Sequence, residues 1–186
     1  DRRVVEVQRL YADSFAHEAQ DVLEDSADAA ATLWRRSIAE LELLAKKHAG
    51  TDAASHALFT IGYLYEFSLE DLDEAISAFR RCNFGSHQWN ASMRLAEMLE
   101  EHLSIETPAT WRPGAGDGAP SVRLTTRNLD EVTIELYRLD LESYYRRHRS
   151  HQGVVDLDLD LIQSDETLIH TIVASQRHAR VVEEVA

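Results

Sequence analysis

The hydrophobic period changes once along this chain, and that change limits the fold more than any other feature. Up to about residue 106, apolar residues recur every three or four positions, the spacing at which one face of an α-helix returns. Beyond residue 121 they recur at every second position, the spacing of a strand with one buried face. The run TPATWRPGAGDGAPS from Thr107 to Ser121 lies between the two regimes and holds all three prolines and three of the seven glycines. Proline removes a backbone donor and fixes φ, so this run continues neither a helix nor a central strand. The expected fold class is α+β: an antiparallel α-helical repeat array over 1–105, a linker over 106–121, and a small antiparallel β-rich segment over 122–186.

The periodic stripes place the elements. Val4, Val7, Tyr11, Phe15 and Val22 form one stripe, and Trp34, Ile38, Leu41 and Ala45 a second. Leu58, Ile61 and Tyr65 form a third, Ala75, Phe79 and Cys82 a fourth, and Leu95 with Leu99 a fifth. They predict five helices at about 2–24, 28–48, 53–67, 71–82 and 88–103. Punctuation agrees: Ser26 precedes the second helix, Gly50-Thr51-Asp52 divides the second from the third, and Asn83-Phe84-Gly85-Ser86 precedes the fifth. Farther on, Val122, Leu124 and Thr126, then Asn128-Leu129-Asp130, then Val132, Ile134 and Leu136 predict a β-hairpin. A short helix is expected over 140–149, and strands over 154–161 and 168–174.

A chain of 186 residues buries a sizeable core without staples, and Cys82, the sole cysteine, forms no intramolecular disulfide. Nineteen Lys and Arg against thirty-three Asp and Glu give a net charge of -14, which opposes binding to nucleic acid over the whole surface. No run approaches the roughly 18 apolar residues of a membrane span. The chain opens on Asp1 and is expected to be a piece of a longer protein, with any targeting segment upstream.

A repeat underlies the helical part. Ile61, Gly62 and Tyr65 recur as Leu95, Ala96 and Leu99, each displaced by 34 residues. A small residue at Gly62 admits the partner helix closely, Tyr65 fills the next layer, and Ala75 with Phe79 repeats small-then-large on the antiparallel helix. With Leu58 these residues meet the spacing of the tetratricopeptide repeat, which the segment resembles. Two departures are present: one extra residue between Tyr65 and Ala75, and Ser86 or His87 where the family closes its repeat with Pro. The preceding run ELELLAKKHAGTDAASHALFTIG looks like a junction of envelope-type repeat proteins.

The segment from Arg123 to Arg147 carries Arg127, Asn128, Val132, Tyr137, Arg138, Asp140 and Leu141. It is similar to the opening strands of a macroglobulin-type β-sandwich in bacterial alpha-2-macroglobulin-family proteins, with Thr126 where an aromatic is more usual. Such a sandwich needs about seven strands over roughly 100 residues. Only 65 residues follow Ser121, so the sandwich is expected to be incomplete. The resemblance implies a large cell-envelope or secreted protein that traps proteases through a thioester. That centre needs a Cys with a nearby Gln, a context Cys82 lacks, so trapping chemistry is not expected in this segment.

No spacing points to catalysis, a cofactor or a metal. Nine histidines are present, yet His17-Glu18 lacks a second His four residues on, and Cys82 with His87 offers only two ligands. Asp156, Asp158 and Asp160 alternate along one strand face, but a calcium loop starting there would need Gly and Glu where Leu161 and Thr167 stand. Gly114, Gly116 and Gly118 follow a helix and lead to a strand, the reverse of a phosphate loop. The basic run Arg146, Arg147, His148 and Arg149 is expected to meet a partner domain through salt bridges. No Gly-x-Ser-x-Gly elbow occurs.

What remains is the inner face of the helical array. His56, Phe59, Tyr63 and Glu66 fall on one stripe distinct from the packing stripe, and Met93, Glu97 and Glu100 continue it on the next equivalent helix. An aromatic surface with acidic edges suits a protein or peptide segment bearing Lys or Arg. The competing expectation packs Phe59 and Tyr63 against the 28–48 helix. The functional expectation is a noncatalytic interaction scaffold within a larger cell-envelope or secreted protein. The alternatives are a cytoplasmic tetratricopeptide-type adaptor and a metal-binding or hydrolytic protein.

Overall fold

The computed structural model describes residues 2–107, 121–150, 162–174 and 176–185. Among the described residues, six helices and five strands follow one another as α1 (Arg2–Val22), α2 (Ala27–Lys47), α3 (Asp52–Phe67), α4 (Leu72–Arg81), α5 (Gln88–Leu99), β1 (His102–Glu106), β2 (Val122–Arg127), β3 (Glu131–Leu136), α6 (Leu141–His148), β4 (Glu166–Thr171) and β5 (Val181–Val185). The class is α+β, with one three-stranded and one two-stranded antiparallel sheet. The chain divides into two compact units, one of residues 1–128 with 174–186 and one of residues 129–173.

In the first unit, side-chain caps set the helix starts. Ser26 Oγ accepts from the Ala29 amide, Thr51 Oγ1 from Ala54, and Asp71 Oδ1 from Glu74. Acidic residues follow in the first turns of α2, α3 and α4, and Lys46-Lys47 and Arg80-Arg81 close α2 and α4, the signs that complement the helix dipole. Consecutive helices from α1 to α5 pack on one another, and α3 also touches α5, the neighbour pattern of stacked antiparallel pairs.

The second, third and fourth stripes lie in the core as expected. Trp34, Ile38, Leu41, Ala45, Leu58, Ile61, Ala75, Phe79 and Cys82 are all buried, and Tyr65 packs partly buried against them. Gly62 is a tight point: a Cβ there would lie 2.5 Å from Phe79 Cε1. The extra residue after Tyr65 is absorbed in the α3–α4 turn, where Glu70 takes a left-handed φ of 53° and the Asp71 amide bonds the Tyr65 carbonyl at 2.9 Å. Where a closing proline was absent, Gly85 makes the turn at φ 71°. That turn is pinned to the start of α3. The Ser86 amide donates to Asp52 Oδ1 at 2.9 Å, and buried Ser55 donates to the Phe84 carbonyl and accepts from the His87 amide.

The first and fifth stripes differ in part from expectation. Val4, Val7 and Tyr11 are exposed, Val7 by 65%, whereas Phe15 and Val22 of the same stripe pack inward as expected, joined by buried Ala12 and Ala19. Among the described elements only α2 packs extensively on α1, so the Val4, Val7 and Tyr11 side of this helix is exposed among the described residues. On α5, Leu95 packs partly buried against the core as expected and Ala91 and Met98 are buried, while Leu99 is exposed; the next element in the chain is strand β1 and not a further repeat helix. The fifth helix ends at Leu99, not 103, and residues expected at its end begin strand β1.

The expected hairpin over 122–136 does not form. β2 lies between β1 and β5, in register Ile105↔Leu124 and Val122↔Val185, whereas β3 pairs with β4, Val132↔His170. Asn128 explains the divergence. It sits at φ 57° and gives its side-chain amide to the Met98 and Glu100 carbonyls at the end of α5, at 3.0 and 2.9 Å. The residue expected to turn the chain back on itself instead caps a helix. In the second unit β3 and β4 pair over six residues each, and α6 is capped by Asp140, whose carboxyl lies below its ordinary value because it accepts from Ser143. The expected strand over 168–174 is β4. The expected strand over 154–161, Asp156, Asp158 and Asp160, and Gly114, Gly116 and Gly118 lie outside the described residues.

Candidate functional site

The expected groove residues divide into an inner, engaged group and an outer, exposed one. His56 and Phe59 belong to the inner group. Both are half-buried, and the His87 ring stacks against each, at 4.8 Å from His56 and 5.3 Å from Phe59. Phe59 also reaches Phe79 on α4 at 5.8 Å, so its aromatic neighbours come from α4 and the following turn and not from α2, the alternative read from the sequence. His56 is held from two sides, with Nδ1 3.1 Å from Thr60 Oγ1 and Nε2 3.4 Å from an Arg9 nitrogen on α1. His87 titrates below the usual histidine value, first because burial penalises its charged form, then because His56 is beside it, against an opposing pull from Asp52. Its Nδ1 is buried without a hydrogen-bond partner, which also disfavours protonation.

The outer group lies farther along α3 and on α5. Tyr63 is 50% exposed and packs on Phe67, itself 52% exposed, with ring centroids 4.5 Å apart. Glu66 binds Arg94 of α5 through both carboxylate oxygens, and Arg94 also holds Glu97 at 2.6 Å. The same guanidinium lies 5.2 Å from the Phe67 ring, a cation–π contact. Arg94 therefore links the α3 stripe to the α5 stripe: Phe67, Glu66 and Glu97 meet on one cation. Met93 is 52% exposed on α5, and Glu97 and Glu100 are exposed beyond it.

Phe67, Arg94 and His87 belong to this face although the expected groove stripes do not include them. Phe67 was legible as the i+4 neighbour of Tyr63, and Arg94 as the i−3 neighbour of Glu97. His87 had no local signal, since its position over His56 depends on the turn at Gly85. The acidic edge also reads differently in three dimensions: Glu66 and Glu97 share the single cation of Arg94, so both carboxylates are paired while the edge keeps a reduced net negative charge.

Cys82 is buried, and desolvation raises its thiol pKa, while its Sγ donates to the Ser55 carbonyl at 3.2 Å. A buried thiol held protonated is a packing residue and not a nucleophile. Among the described residues no three His, Cys, Asp or Glu side chains gather as a metal site, and no helix is long and apolar enough to cross a membrane. The basic run falls on α6, where Arg146 pairs with Glu142 and the His148 ring stacks on Tyr144 at 4.5 Å. No family model matches the chain, and neither a curated protein nor a solved structure matches it.

Proposed function

We propose that the helical unit is a noncatalytic protein-interaction scaffold whose α3–α5 face binds a peptide segment of a partner. The observation that carries this reading is the Tyr63–Phe67 pair, two rings in contact at an interplanar angle of 41°, each exposing about half of its surface. Half-exposed aromatics on a rigid helix are the anchors that dominate peptide interfaces, because they present large area at little entropic cost. Since Arg94 already pairs with Glu66 and Glu97, the anchor of the partner is apolar, and Glu100 is the one of the three carboxylates on these stripes left for a basic residue. The array is of the tetratricopeptide kind in this proposal, supported by the Gly62–Phe79 approach and by helix pairs stacked in chain order. Its place in an alpha-2-macroglobulin-like protein of the cell envelope or the secreted fraction rests on the residue run Arg127 to Leu141.

The test is selection of displayed peptides on the chain, with binding then measured by fluorescence polarisation. Tyr63→Ala and Phe67→Ala are each expected to weaken selected peptides by about tenfold or more. The melting temperature is expected to stay within about 4 °C of the parent, as for a loss of no more than about 1 kcal/mol. Peptides that bind both variants as tightly as the parent refute the surface, and loss of cooperative melting in Tyr63→Ala assigns that ring to the core.

A further inference from the structure

A second feature of the first unit has nothing to do with the aromatic face. The last turn of α4 presents Arg80 and Arg81, and the turn before β5 brings Arg177 and His178 alongside them around a cleft of about 380 Å³. The turn is held in place by two bonds: Gln176 Nε2 donates to the Glu70 carbonyl at 2.8 Å, and His178 Nδ1 lies 2.7 Å from Asn128 Oδ1. His178 takes a left-handed φ of 63° and Asn128 one of 57°, so two non-glycine residues adopt a sparsely populated backbone to make this arrangement.

The guanidinium groups of the cleft are not equivalent. Arg81 is occupied by a bidentate pair with Glu42, at 2.7 and 2.6 Å. Arg80 and Arg177 make no hydrogen bond and no ion pair among the described residues, although the chain carries a net charge of -14 and has carboxylates to spare. Among the described residues Asp73 is the one carboxylate on the cleft wall, so this lining is net positive even with Arg81 spent on Glu42. A helix-dipole role accounts for arginines in the last turn of α4. It does not account for Arg177, which arrives from a different element and meets Arg80 across the same cavity. The depressed pKa of His178, owed first to burial and then to Arg177 and Arg80 against Asp73, agrees with a positive local potential.

The geometry points to this cleft as a binding site for a phosphoryl group, carried as a phosphate monoester or as inorganic phosphate, with Arg80 and Arg177 as its principal ligands. Two free guanidinium groups offer ten N–H donors between them, and the Ser77 hydroxyl on the same wall adds another. A phosphoryl group presents three or more acceptor oxygens and close to two negative charges, and so uses more of these donors than the two oxygens of a carboxylate. The site lies on α4 and the β5 turn and stands independently of the peptide surface proposed above.

The experiment is calorimetric titration of the full chain with inorganic phosphate, phosphoserine and succinate at low ionic strength. Single-site binding of phosphate is expected, weakened about tenfold or more by Arg80→Gln and by Arg177→Gln and unchanged by Arg35→Gln on α2. Arg80 and Arg177 are both exposed, so circular dichroism and melting of the two variants should match the parent. Arg80→Lys, which keeps the charge and loses the fork, should bind between parent and Arg80→Gln. Phosphoserine binding more tightly than phosphate identifies a monoester as the source, and equal binding identifies the free ion; both uphold the site. The proposal is overturned by absence of saturable phosphate binding, by phosphate affinity indifferent to both glutamine variants, or by succinate binding as tightly as phosphate.

Discussion

Gly62→Ala tests the stacking of α3 on α4 most directly. The added Cβ would lie 2.5 Å from Phe79 Cε1 and 2.6 Å from Cδ1, about 0.9 Å inside ordinary contact at 3.4 Å. Phe79 has little room to give: it is 2% exposed and sits among the largest buried side chains of the core. Relief must come from an off-rotamer ring or from separation of α3 and α4, and overpacking of this kind costs about 1–3 kcal/mol. Against this, alanine is favoured over glycine in a helix interior by about 1 kcal/mol. Steric cost and propensity gain are comparable at the low end, so the sign is informative. With the ring immobilised, the steric cost falls in the upper part of that range, about 2–3 kcal/mol, and the net expectation is a destabilisation of about 1–2 kcal/mol, or about 2–8 °C in Tm. Urea unfolding followed by circular dichroism measures it. A double variant with Phe79→Leu supplies the control, because a smaller side chain removes the clash and leaves the propensity gain, so the two substitutions should couple favourably. A Gly62→Ala chain as stable as the parent would refute the close approach on which the array rests.

Two further outcomes are expected. Asn128→Gly keeps access to the left-handed backbone but loses the bonds to the Met98 and Glu100 carbonyls, and should cost about 1–2 kcal/mol, with Asn128→Ala costing more because it adds strain at φ 57°; urea midpoints of the two variants separate the contributions. For His87, the folded state holds the pKa below its ordinary value of 6.5, so the unfolded chain binds the proton more readily. The stability associated with neutral His87 is therefore full above pH 6.5 and is lost as pH falls from there through the folded-state value. His87→Gln should flatten that part of the stability curve, measured by urea unfolding at a series of pH values, and an unchanged slope would refute the burial argument.

The legible parts of the site were those set by spacing along one helix. Tyr63 stood on a stripe apart from Leu58, Ile61 and Tyr65, and the structure leaves it exposed while Leu58 and Ile61 are buried. His56 and Phe59 lie on the same stripe, yet their exposure is set by His87, which arrives from another element through the turn at Gly85. Glu66 looked like a free carboxylate until α5 placed Arg94 against it. The basic cleft left no trace at all in the pattern, since Arg80 and Arg177 are far apart in the chain and meet only because Gln176 and Asn128 anchor the last turn.

By itself the amino-acid order determined that a helical part precedes a β-rich part, which faces of α2, α3 and α4 are buried, and that Gly62 opposes a large partner. These follow from the repeat of apolar residues and from local caps, both of which act within a few residues. Pairing of β2 with β1 and β5, the open face of α1 and the use of Asn128 as a helix cap were decided only in three dimensions. Strand partners and the coverage of an outer helix depend on which segments remain to bury a face, and a local period carries no information about what arrives from elsewhere in the chain.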